Sequence, residues 1–77
     1  MDILLKYSVL YSLTLLKVLY NNIAGVYDNQ GDYSMALEWY KKSYKIVQLV
    51  LGDAHPNTIT VKKNMEIVYQ KISTTEP

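Results

Sequence analysis

The sequence predicts an all-α protein built from three antiparallel helices. Three observations carry this expectation. Apolar residues recur at helical spacing in three segments, glycine and proline stand between those segments, and no stretch alternates polar with apolar residues as a strand would. Linkers of a few residues make successive helices antiparallel neighbours. At 77 residues and 49% apolar composition the chain is one domain at most, residues 1–77, near the size where a single core barely suffices.

The first helix is expected over about residues 5–29, starting between Ile3 and Tyr7 without a clear cap. MDILLKYSVLYSLTLLKVLYNNIAGVY is apolar throughout. No charge-free run in it is longer than residues 7–16, between Lys6 and Lys17, which falls short of the roughly 20 residues a spanning helix needs. Asp2 and the lack of a small-residue cleavage site argue against a signal peptide. The expectation is therefore a helix buried over most of its circumference, with no membrane partner. Gly25 falls inside it, at a cost of about 1 kcal/mol relative to alanine, and leaves open whether the helix is straight or broken there.

Gly31 supplies the residue that ends this helix, and Asp32 the side-chain oxygen that caps the next. The second helix is expected over residues 33–51. Tyr33, Ala36, Leu37, Tyr40, Ser43, Tyr44 and Val47 follow the i, i+3, i+4, i+7 pattern of one face. Ala36 and Ser43 are small where bulk would be usual, which lets a second helix come close. Gly52 ends this helix too.

Pro56 suits the first position of a third helix, expected over residues 56–72, because its missing N–H costs nothing there. Ile59, Val61, Met65, Val68, Tyr69 and Ile72 supply its apolar side. The polar residues 73–77 should fray.

The first and third helices are related. Asn22-Ile23-Ala24-Gly25-Val26-Tyr27 matches Asn64-Met65-Glu66-Ile67-Val68-Tyr69 at four positions, and Tyr27 and Tyr69 are 42 residues apart. A period of 20–50 residues marks stacked supersecondary units.

On these residues the chain resembles the tetratricopeptide repeat family. In YNNIAGVYDNQGDYSMALEWYKKSYKIV the motif's small residue falls on Ala24 and its aromatic on Tyr27. Its turn falls on Gly31-Asp32-Tyr33, and its second-helix positions on Ala36 and Tyr40. Ser43 stands where alanine is usual. The 42-residue period, the linker Leu51-Gly52-Asp53-Ala54-His55-Pro56 and the pair Asn21-Asn22 are similar to the kinesin light chain subtype. The resemblance is specific over residues 20–56, fair over 57–71 and poor before Tyr20. It implies a right-handed solenoid fragment of about one and a half repeats, fewer than the roughly three usually needed for independent stability.

The resemblance further implies a groove for a peptide or partner helix, lined by first helices. Here its positions are Asn21, Asn22, Gly25, Asn29, Lys63, Asn64, Ile67 and Lys71. Asn22 and Asn64 could bracket a peptide unit, since an amide both donates and accepts. Gly25 would admit close approach, and Lys63 with Lys71 would attract a carboxylate. The alternative is that these are solvated polar faces inherited with the repeat.

A second expectation is self-assembly, as a dimer, through the apolar first helix, with Leu15, Leu19 and Trp39 at the interface. Residues 3–19 carry Leu, Val and Tyr on more faces than two partner helices can cover. Trp39 has two readings, a partner anchor or, preferred, a contact with the third helix or an adjoining unit.

Other functions are not expected. A net charge of +1 gives no footprint for nucleic acid. Lys41, Lys42 and Lys45 make a solvated helix face. The lone His55 belongs to a helix start rather than a metal site, and the carboxylates are scattered, so neither a cofactor nor enzymatic activity is expected. The absence of cysteine suits a reducing cytoplasm.

Overall fold

The computed structural model describes residues 3–75, the Thr75 side chain excepted. It contains α1 (Ile3–Asn29), α2 (Tyr33–Leu51) and α3 (Pro56–Thr75), with no strand among the described residues. α2 is the shared neighbour of the other two, so α1 and α3 run parallel along it.

The helix ends follow from local chemistry. Asp32 caps α2 by accepting from the Met35 N–H at 3.3 Å. Gly31 and Gly52 adopt φ of 81° and 84°, a left-handed conformation that costs a side-chain-bearing residue about 1–2 kcal/mol. Before Pro56, His55 Nδ1 accepts the Asn57 N–H at 3.0 Å, the helix-start role expected of it. α1 is one unbroken helix through Gly25. α3 continues to Thr75, past the expected end at residue 72. Ser73 Oγ and Thr74 Oγ1 donate back to the carbonyls of Tyr69 and Lys71 and keep the last turn closed. Residues 76 and 77 of the expected frayed tail lie outside the described residues.

The core has two centres along α2. At one end Ala24, Ala36, Tyr40 and Val68 are buried, with Tyr27, Leu37, Met65 and Ile72 packed around them. Two alanines in contact positions let α1 and α2 approach closely. Towards the other end Ser43, Val47, Thr58 and Val61 are buried. Ser43 Oγ donates to the Lys17 carbonyl at 3.2 Å, and Thr58 Oγ1 to the Val47 carbonyl at 3.3 Å. Both hydroxyls are thus satisfied where an unpaired one would cost about 1–3 kcal/mol. Val47 and Val68 contribute about 1.5–3 kcal/mol each through burial.

One expectation fails here. α1 is not buried over most of its circumference: Ala24 is its one fully buried residue. The reason is the number of neighbours. α2 covers one side of α1, and Leu51 at its end lies beside Thr14, so residues 3–12 of α1 project beyond α2. Leu4, 76% exposed, and Tyr7, Val9 and Tyr11 stand on this projection. The charge-based argument against a membrane also loses its force. Over an 18-residue window α1 has a mean hydropathy of 1.4 and at most two charges, so by length and composition it could cross a membrane.

Candidate partner-binding face

α1 and α3 meet at their C-terminal ends. Lys71 Nζ donates to Asp28 Oδ1 at 2.9 Å and lies 5.3 Å from the centre of the Tyr33 ring. The hydrogen bond to Asp28 raises the Lys71 pKa above its ordinary value. Beneath them Tyr40 has its phenol pKa raised, first by burial and then by the charge of Asp28.

Steps of seven from this pair define two parallel rows, Thr14, Asn21 and Asp28 on α1 and Asn57, Asn64 and Lys71 on α3. Each row member keeps the 43-residue separation of Asp28 and Lys71 from its opposite. Between Thr14 and Asn57 the helices stand apart over a cleft of about 160 Å³, floored by Ile46, Val47, Val50 and Leu51 and edged by Lys17. Midway, Asn21 Oδ1 is buried and accepts no hydrogen bond among the described residues. The cleft was not foreseen from the sequence. The step-of-seven polar row was its available signal.

The eight groove positions divide. Asn22, Gly25 and Asn29 share the side of α1 turned away from α2, and Asn22 and Asn29 are exposed. Nothing lies within 4 Å of where a Gly25 Cβ would stand, so the backbone is open to an incoming group. Asn64, Ile67 and Lys71 follow the same i, i+3, i+7 spacing on α3, with Ile67 and Lys63 exposed. Lys71 differs from its expected role, because its ammonium is already held by Asp28. None of the eight lines the cleft.

Leu15 and Leu19 are 54% and 52% exposed. Trp39 is half-buried against α1 rather than α3. Its ring lies 5.5 Å from that of Tyr20, and Lys42 Nζ sits 4.2 Å from the Trp39 ring centre. Of the preferred reading, a contact with the third helix or an adjoining unit, the third-helix part is thereby corrected. Trp39 sits on the α1 side of α2, where Tyr20 is the aromatic within reach. No group of three or more potential metal ligands occurs among the described residues.

The tetratricopeptide repeat family model matches residues 15–75. The match begins close to where α2 begins to cover α1, so the projecting residues 3–12 lie outside it. No curated protein and no solved structure gives a significant match. Repeats of this kind are non-catalytic modules that generally mediate protein–protein interaction. With three helices, a small-residue seam between α1 and α2, and a family match over most of its length, the chain belongs to the tetratricopeptide repeat family.

Proposed function

We propose that the chain is a protein-docking module that receives a peptide or partner helix along the open sides of α1 and α3. The observation that carries this reading is the row of Asn22, Gly25 and Asn29, its two asparagines exposed, with empty space where a Gly25 Cβ would stand. Asn22 and Asn64 offer amides to a partner backbone, Ile67 an apolar contact and Lys63 a charge. The role needs no cofactor, metal or catalytic group, and a cysteine-free chain suits the cytoplasm. The 42-residue period, the Leu-Gly…His-Pro linker and Asn21-Asn22 support placing it with the kinesin light chain-like repeats.

The test is a fluorescence-anisotropy titration of the chain against a peptide library. A saturable ligand is expected, weakened about tenfold when Asn22 and Asn64 both become Ala, since each amide hydrogen bond contributes about 0.5–1.5 kcal/mol. No saturable ligand, or one indifferent to both substitutions, refutes the reading.

A second reading, self-assembly as a dimer through α1, is favoured by a specific observation. Leu15, Val18, Leu19 and Val26 are exposed on α1 in addition to its projecting end. So broad an apolar surface is the kind that marks an interface.

A further inference from the structure

We infer that two copies of this chain pair through α1, antiparallel, on the same face that carries Asn22, Gly25 and Asn29. The inference rests on the self-assembly reading and adds the face, the register and a consequence for partner docking.

The face comes from spacing. Leu4, Tyr11, Leu15 and Val18 are exposed. Continued in steps of three and four, their line runs directly into Asn22, Gly25 and Asn29, with Ser8 filling the one remaining position. Alternating steps of this kind are the spacing of a helix–helix seam. The line lies on the side of α1 opposite Ala24 and Tyr20, which face α2, so α2 leaves it uncovered.

The occupant comes from self-complementarity. Laid antiparallel against a copy, the seam sets Leu15 against the partner's Val18 and, by symmetry, Val18 against the partner's Leu15. The Tyr11 hydroxyl then reaches the partner's Asn22 amide, and Ser8 meets the partner's Gly25, where the missing Cβ permits close approach. In this register Leu4 falls beside the partner's Asn29, whose place at the exposed end of α1 leaves its amide in water. A register one heptad away instead sets Leu4 over the partner's Asn22 in mid-helix and Val18 against the partner's Ser8, giving up both the Leu15–Val18 contacts and the Tyr11–Asn22 hydrogen bond. Head-to-tail growth lacks a matching surface, because 42 residues after the small Ala24 stands the charged and exposed Glu66.

Size sets the strength. A helix of 27 residues is about 40 Å long, and a strip of that length buries on the order of 1,000 Å² in total, at the low end for specific association. The dimer is therefore weak and governed by concentration. It covers Asn22, Gly25 and Asn29, so dimerisation and partner docking exclude one another.

The chain has no cysteine, so introduced ones report proximity directly. The Leu15→Cys and Val18→Cys variants are mixed in equal amounts and oxidised mildly, with molar mass followed by light scattering and helix content by circular dichroism. Both positions are exposed, so folding is preserved. The expected result is a mixed disulfide about tenfold more abundant than either symmetrical one. Symmetrical disulfides in excess would mean a parallel pair and overturn the register. An oligomer linked instead by a mixture of Leu19→Cys and Val26→Cys overturns the proposed face but leaves the self-assembly reading standing. A monomeric mass at every concentration overturns both. Flotation of the protein with phosphatidylcholine vesicles, without cross-linking, assigns the apolar face to lipid and also overturns the proposal.

Discussion

Lys71 Nζ and Asp28 Oδ1 meet at 2.9 Å across 43 residues of sequence, tying the last turn of α1 to the last full turns of α3. The separation is one residue more than the 42-residue offset between the Tyr27 and Tyr69 segments. The ion pair is therefore a clamp between equivalent ends of successive units. It lies over Tyr33 and near the buried Tyr40, where α1, α2 and α3 converge.

This cluster makes stability sensitive to alkali. The hydrogen bond to Asp28 raises Lys71 above its ordinary pKa, and burial raises Tyr40. A folded-state pKa above the unfolded one means the folded chain holds the proton more tightly. The stabilisation is whole below about pH 10, where the unfolded groups begin to titrate, and is lost as pH rises through the folded pKa values. Thermal midpoints measured from pH 8 to 11.5 should hold steady at first and then fall. Asp28→Asn and Tyr40→Phe should each make the fall shallower.

The small residues between α1 and α2 set the closeness of that pair. Ala24 and Ala36 have no exposed surface. Ala36→Leu should destabilise by about 1–3 kcal/mol through overpacking. Ser43→Ala should cost about 0.5–1.5 kcal/mol, because the volume is tolerated and one hydrogen bond to the Lys17 carbonyl disappears. Urea unfolding followed by circular dichroism measures both.

Two glycines should respond in opposite directions. Gly31 has φ of 81°, so Gly31→Ala should destabilise by about 1–2 kcal/mol. Gly25 is helical with nothing within 4 Å of its Cβ position, so Gly25→Ala should stabilise by up to about 1 kcal/mol. If Gly25 admits a partner, the same substitution should weaken partner binding while raising the unfolding midpoint. Stability and affinity moving together would argue against that role.

Leu15 and Leu19 are more than half exposed, so replacing both with Glu should leave helix content unchanged. The double variant should be monomeric across a hundredfold concentration range in light scattering, where the unaltered chain gains mass with concentration.

The elements legible in the sequence were those decided by local chemistry. Gly31, Asp32, Gly52 and Pro56 mark helix ends because φ preference and side-chain capping act within a few residues. The small positions Ala36 and Ser43 were readable because a close helix pair demands them. Illegible features depend on how many neighbours a helix acquires. The apolar composition of α1 implied a cover that α2 alone is too short to provide. Lys71 read as an available cation, since a partner 43 residues away leaves no local trace. Trp39 met Tyr20 rather than α3 for the same reason, as helical period does not say which neighbour lies on which side.

The most direct test of the docking surface is an amide chemical-shift map of the ¹⁵N-labelled chain, titrated with the tightest ligand from the peptide library. Partner docking along this face should give the largest shifts at Asn21, Asn22, Gly25 and Asn29 on α1, with Asn64 and Ile67 on α3. Shifts confined to the outer side of α2, around Lys41 and Lys45, would contradict it.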